Sequence, residues 1–164
     1  MSHQQPAHSA QRHAKLDTTE AGLVTGTRVM TLDGMIPVEF LTPGDRIVTR
    51  DGGVSVLRGI KVTNHVALSA VTISASVLAH DRPEQDIVVG PDQHILVRGW
   101  KARALYGAES ALVPASRIAD GEHIRQAATP SALRTFQLVF DAAHIIYAEG
   151  VELAMTLTTA TVVE

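Results

Sequence analysis

Gly26-Thr27-Arg28-Val29-Met30-Thr31-Leu32-Asp33-Gly34-Met35-Ile36-Pro37-Val38-Glu39-Phe40-Leu41-Thr42-Pro43-Gly44-Asp45-Arg46-Ile47-Val48-Thr49-Arg50-Asp51-Gly52-Gly53 reads as short apolar runs separated by turn signals. Arg28 to Leu32 stops at Asp33-Gly34, Met35 to Leu41 at Pro43-Gly44-Asp45, and Arg46 to Arg50 at Asp51-Gly52-Gly53. Proline presets φ and the glycine after it accepts φ > 0, which is what a type II turn requires. Asp-Gly between β-branched runs is a strong local hairpin signal. The stretch predicts a succession of strands with no helix among them.

The flanking sequence continues in the same way. Val54, Val56, Ile60 and Val62 alternate with Ser55, Gly59, Lys61 and Thr63, the period of two of a half-buried strand. Ser69 to Leu78 is a second β-leaning run. Asp86 to Val89 and Ile95 to Val97 flank a turn at Gly90-Pro91-Asp92, and Phe136 to Phe140 is expected to pair with Ile145 to Ala148 about Asp141-Ala142-Ala143. One short helix is expected, with Pro114 as its first residue, Ser116 to Ala119 as its body and Gly121 as its stop. Many short strands and little helix predict an all-β single domain, a rolled or barrel-like sheet. The domain is expected to occupy residues 22–164, after a flexible arm at 1–21. The arm carries His3, His8 and His13, a spread in a polar segment that does not call for a metal.

Composition narrows the chemistry. The chain of 164 residues suits one domain with a sizeable core. Hydrophobic residues are 45% and aromatics only 4%, so Val, Ile, Leu and Ala must build that core. There is no cysteine, which excludes disulfides, thiolate nucleophiles, iron–sulfur clusters and cysteine-bearing zinc sites. The net charge is −3 and the basic residues are scattered, apart from a loose cluster at Arg98 to Arg103. A nucleic-acid partner is therefore not expected. Val66 to Ala79, the most apolar stretch, carries Ser and Thr and falls short of the roughly 20 apolar residues of a membrane span. Met1 to Lys15 has no apolar h-region, so cytoplasm is the default expectation, with export by a route other than a signal peptide left open.

These segments, in this order, resemble the bacterial branch of the Hint family, the fold shared by hedgehog autoprocessing domains and inteins. The amino-terminal block Gly26 to Gly53 carries the resemblance most clearly. Val88 to Val97 is similar to the middle block that bears the family's histidine, Leu112 to Gly121 to the segment after it, and Phe136 to Gly150 to the last strand pair. The resemblance covers residues 22–153. It implies self-processing: a thiol or hydroxyl attacks the carbonyl just upstream of its own residue, and a histidine assists the leaving nitrogen. The position similar to the nucleophile is Gly22, which has no side chain, and Thr25 lies three residues on. Splicing also needs an asparagine at the carboxyl end, whereas the one asparagine is Asn64. If His94 is the family histidine, the usual threonine position is Pro91; if Gly90-Pro91-Asp92 aligns on Ser-Pro-Asp, the histidine position is Gln93.

The candidate site residues are accordingly His94, His144, Asp141 and Thr25 around a vestigial Gly22. His144 is placed to face the same pocket as His94, with Asp141 orienting an imidazole. The plainer alternative makes His94 a strand-end histidine bonded to backbone, Asp141 a turn cap and His144 a surface residue. No cofactor and no metal are expected, since there is neither H-x-H nor H-E-x-x-H. The expected function is a Hint-like module defective in autoprocessing and splicing that acts as a binding or structural unit, its partner a peptide or protein added at a sheet edge. Two other readings stand: self-cleavage by an unrecognised nucleophile such as Thr25, Thr18 or Thr19, and a small β-barrel hydrolase or metal enzyme built on His94 and His144. Thr156 to Glu164 reads either as a last strand or as an export tail of the kind carried by secreted relatives.

Overall fold

The computed structural model describes residues 19–155 apart from positions 79 and 81. Most of the expected arm, Thr18 and the three histidines His3, His8 and His13 lie outside the described residues, as does the segment 156–164. The strands are β1 (Leu23–Val24), β2 (Arg28–Thr31), β3 (Gly34–Pro37), β4 (Arg46–Thr49), β5 (Gly53–Val56), β6 (Gly59–Leu68), β7 (Val71–Ile73) and β8 (Ile87–Val89). They continue with β9 (His94–Arg98), β10 (Ser110–Pro114), β11 (Ile124–Gln126), β12 (Ser131–Val139), β13 (His144–Ala148) and β14 (Val151–Met155). One α-helix, α1 (Trp100–Tyr106), and 3-10 turns at Val38–Phe40 and Ala115–Ile118 complete the described elements.

The strands form two antiparallel sheets. One runs β11-β7-β8-β1-β12-β6; the other runs β10-β9-β14-β13-β2-β4-β5, with β3 on β2. The all-β class with one short helix is therefore the observed one. The hairpins expected at Asp33-Gly34 and Asp51-Gly52-Gly53 are present as β2–β3 and β4–β5. Thr31 Oγ1 accepts the Asp33 N–H at 3.0 Å and donates to Gly34 O at 2.8 Å, closing the first turn. Gly44 takes φ +100°, as the Pro43-Gly44 turn requires.

Three local expectations are corrected. Val54 to Thr63 is not one strand: the chain leaves the second sheet at Val56 and enters the first at Gly59. Leu57 is fully buried at this crossing, and its N–H and that of Arg58 donate to Asp45 O and Val139 O. Ser131–Val139 and His144–Ala148 do not pair about Asp141-Ala142-Ala143 but are split between the sheets; Ile87–Val89 and His94–Arg98 flank the turn at Pro91-Asp92, as expected, and also lie in different sheets. The expected helix after Pro114 is only the 3-10 turn Ala115–Ile118, because Pro114 closes β10 and no side chain caps the turn. The α-helix instead occupies Trp100–Tyr106, over the basic cluster, and stops at Gly107 in the left-handed region, whose N–H reaches Ala102 O and Arg103 O.

Both sheets turn aliphatic side chains into one core. Leu23, Val71, Ile73, Val89 and Leu138 from the first meet Val29, Ile47, Ile95, Ile146 and Leu153 from the second. Each such side chain contributes roughly 1.5–3 kcal/mol by leaving water. Two buried carboxylates are matched by arginines. Glu149 accepts Arg28 Nη2 at 2.9 Å and the Arg28 backbone N–H at 2.9 Å. Burial opposes its ionisation, but those Arg28 contacts outweigh it and hold the carboxyl below its ordinary range. Glu152 accepts Arg50 Nη1 at 2.8 Å and Arg98 Nε at 3.0 Å.

Candidate functional site

The Ala21–Gly22 peptide lies just before β1 and is buried. Gly22 O accepts the Gly90 N–H at 3.0 Å, and Glu20 O accepts the Asp92 N–H at 3.1 Å, so the loop after β8 is laced to this segment. The approach is possible because residue 90 is glycine: a Cβ there would overlap Glu20 O and stand 2.8 Å from the Glu20 carbonyl carbon. Gly22 itself has φ +114°, and a Cβ on it would lie 2.9 Å from Phe136 O and 3.0 Å from Thr135 Cβ. The position is closed to a side chain by sterics as well as by backbone conformation.

The Gly22 N–H donates to Gln93 Oε1 at 3.1 Å. Gln93 is 2% exposed, and its Nε2 donates to Ala154 O at 2.8 Å and His94 O at 3.1 Å. One amide therefore ties the start of the domain to β14 and to the start of β9. Between the two sequence alignments, the geometry brings Gln93, not His94, to Gly22. His94 donates Nδ1–H to Asp92 O at 3.0 Å, a bond to backbone. A neutral amide neither accepts a proton nor gives one up at ordinary pH, so it holds the N–H without the acid–base capacity of an imidazole.

The expected shared pocket of His94 and His144 is not formed. Successive strand residues face opposite sides. His144 has the parity of Ile146, which is buried, whereas His94 has the parity opposite to buried Ile95; Ile95 and Ile146 both register with Leu153. His144 Nδ1 is 3.2 Å from Asp51 Oδ2, and its Nε2 is 3.1 Å from Ser55 Oγ. Its ring packs edge-on against Phe140 with centroids 5.4 Å apart. The carboxylate beside His144 is thus Asp51. Asp141 instead pairs with Arg58 at 2.9 Å, both exposed, because the turn directs it away from β13. Burial raises the Asp51 carboxyl, but the Ile145 N–H, its own N–H and the His144 ring prevail and keep it below the ordinary aspartate value.

Thr25 is exposed in the turn between β1 and β2 and lines an open groove of about 380 Å³ with Asn64, His65 and Arg134. His65 Nε2 lies 2.9 Å from Oγ1 of Thr135, the buried residue against Gly22. Thr19 is exposed. Asp51, Ser55, His65 and Thr135 were not among the expected site residues. The Asp51-Gly52-Gly53 turn signal accounted for Asp51 as turn chemistry, and nothing in the spacing joined it to His144. Among the described residues no group of three or more His, Asp or Glu is placed to hold a metal ion. Nor is any helix there long and apolar enough to cross a membrane.

Comparison with known families gives a match to the Hint domain over residues 21–159. The chain belongs to the Hint domain family. Solved structures agree at the level of the fold. A bacterial intein-like domain from Clostridium thermocellum superposes with a TM-score of 0.53 at 14% identity, covering 84% of this chain and 99% of that one. The MchDnaB-1 intein gives 0.53 at 14% identity, covering 80% and 98%. A DnaB intein from Synechocystis gives 0.50 at 10% identity, covering 84% and 99%. No curated protein matches the sequence.

Proposed function

We propose that this Hint domain does not rearrange the Ala21–Gly22 peptide bond and serves as a binding or structural module for a peptide or protein partner. The observation that carries the reading is the closed environment of Gly22: no side chain, no room for one, and an N–H held by the amide of Gln93. An acyl shift needs a nucleophilic side-chain atom on residue 22 and a group able to protonate the leaving nitrogen. Gly22 and Gln93 provide neither, while the scaffold around them is intact. Among the described residues the long strand β6 pairs only with β12, and its other edge is where an extended peptide would add.

The test is the intact mass of the natively purified full chain after incubation with dithiothreitol and, separately, with hydroxylamine. The expected mass is that of the full chain in both. A fragment ending at Ala21 would overturn the reading, and one ending at Val24 would point to Thr25 as the nucleophile. The double variant Gly22→Cys, Gln93→His should also stay uncleaved, since the cysteine Cβ has Phe136 O at 2.9 Å.

A further inference from the structure

The β4–β5 hairpin brings two side chains that the family resemblance does not assign, Asp51 and Ser55, to His144 at the start of β13. Ser55 Oγ is 3.1 Å from His144 Nε2, and Asp51 Oδ2 is 3.2 Å from Nδ1 of the same ring. An ionised carboxylate has no proton to donate, so Asp51 sets the tautomer: Nδ1 carries the hydrogen and Nε2 presents its lone pair. The Ser55 hydroxyl then donates to Nε2. That is the order of groups in a nucleophile–base–orienter relay, which is recognised by geometry and not by chain order.

The supporting contacts hold each member in place. Asp51 Oδ1 accepts the Ile145 N–H at 3.3 Å, which braces the carboxylate against the strand that carries His144. The imidazole lies between the Phe140 ring and Gly52, where a Cβ would stand 3.2 Å from His144 Cε1 and 3.4 Å from Ser55 Oγ. Glycine at 52 is thus what lets the hairpin close over the ring. The position a Cβ of Gly53 would take has no atom within 4 Å, and Asp51 and Gly53 are exposed, with Ser55 half-buried. Asp51 is 48% exposed and His144 17%, a graded arrangement with the base more sheltered than its orienter.

We propose that Ser55, His144 and Asp51 form an acyl-transfer site, with short-chain carboxylic esters as its substrate class. Ser55 Oγ attacks the ester carbonyl carbon as its proton passes to His144 Nε2. Collapse of the tetrahedral adduct breaks the bond to the leaving oxygen, which takes that proton and departs as an alcohol, leaving acyl-Ser55. Water, deprotonated at the same Nε2, attacks the acyl carbon; the released serine oxygen recovers the proton, and a carboxylic acid leaves. Asp51 touches neither substrate nor reacting atoms and is a positioning residue for the imidazole.

The decisive experiment uses the full chain with a fluorophosphonate probe, followed by intact mass and peptide mapping, and p-nitrophenyl acetate as the ester. One covalent adduct is expected, mapped to Ser55, together with acetylation of the same residue. Wild-type protein that carries no adduct, or carries it elsewhere, overturns the proposal without reliance on any variant. Ser55→Ala is expected to abolish both adducts, and His144→Gln to slow labelling by at least about 100-fold, the general-base contribution. Labelling of Ser55 in His144→Gln at the wild-type rate would also overturn it. For Asp51→Asn, slower labelling should accompany a changed 15N signature of the His144 ring as its tautomer is released; an unaltered ring and rate would remove Asp51 from the site. None of these readouts depends on cleavage at Ala21, so they fail or succeed separately from the mass test above.

Discussion

Two corners of this domain put polar groups beside glycines, and they are built in opposite senses. At the Gly22 corner the glycines let backbone meet backbone: Gly90 lies against Glu20 and Ala21, and Gly22 against Thr135 and Phe136. The polar partner there is an amide held by three hydrogen bonds, one accepted and two donated. At the Asp51–Ser55–His144 corner, Gly53 faces open space and the polar partners are a carboxylate, an imidazole and a hydroxyl, groups that can move a proton. The corner to which the family resemblance points is closed around Gly22 beside the first sheet, and the carboxylate, imidazole and hydroxyl stand at the β4–β5 edge of the second. Under the two proposals above, it is the side chains able to exchange protons, and not the fold family alone, that locate the chemistry.

The sharpest way to break the comparison is through the glycines. Gly90→Ala places a methyl on the Glu20 carbonyl and should cost about 3 kcal/mol or more, because backbone cannot yield as a flexible side chain would. Gly53→Ala meets no atom and should cost only the roughly 1–2 kcal/mol of a left-handed backbone at φ +77°. Urea unfolding of the two variants checks both figures. Equal losses would mean that the two corners are packed alike. Next in size is Gln93→Leu, which keeps the volume but deletes all three hydrogen bonds of a buried amide. Stranding the Gly22 N–H should cost about 2 kcal/mol. In hydrogen exchange the Gly22 amide should lose protection, while the Ile145 amide keeps its own.

The hairpins in this contrast were readable in sequence because their cause is local. Asp33-Gly34 and Asp51-Gly52-Gly53 impose a turn whatever surrounds them. At Leu57-Arg58, Gly90-Pro91-Asp92 and Asp141-Ala142-Ala143 the chain crosses from one sheet to the other, which short-range turn chemistry does not distinguish from a hairpin. The choice there is made by burial, as with Leu57, which is wholly enclosed. The same division governs the sites. The missing side chain at Gly22 is visible in the sequence, but the closure of the space around it depends on Phe136 and Thr135, more than a hundred positions away. Ser55 and Asp51 stand 89 and 93 positions from His144, so no motif could join them, and the nearer Asp141 drew the assignment instead.

A smaller effect separates the corners by acid. The Gly22 N–H is bonded to an amide that does not titrate, whereas the Ile145 N–H is bonded to Asp51. The folded-state carboxyl of Asp51 lies below its unfolded value of 3.8. The contribution of this contact is therefore fully present above that pH and is lost as pH falls through the lower folded value. In an acid titration followed by NMR, the Ile145 amide should move with a midpoint below 3.8 and the Gly22 amide should hold until the fold itself gives way. A midpoint above that value would mean that burial, not the N–H and imidazole contacts, dominates at Asp51.

The smallest expected effect is also the one that decides which carboxylate serves His144. Asp141 and Arg58 form an ion pair in which both side chains are more than half exposed, at 75% and 54%. Such pairs contribute about 0–1 kcal/mol because water screens the charges and ordering two side chains costs entropy. Asp141→Ala should therefore leave the unfolding midpoint nearly unchanged, and the His144 ring, in contact with Asp51 and Ser55, should keep its 15N signature. Asp51→Asn should alter that signature even if its stability is equally untouched. The pair of variants separates a carboxylate that is near in sequence from one that is near in space. A changed ring in Asp141→Ala with an unchanged one in Asp51→Asn would reverse the assignment and reopen the second corner to a different base and orienter.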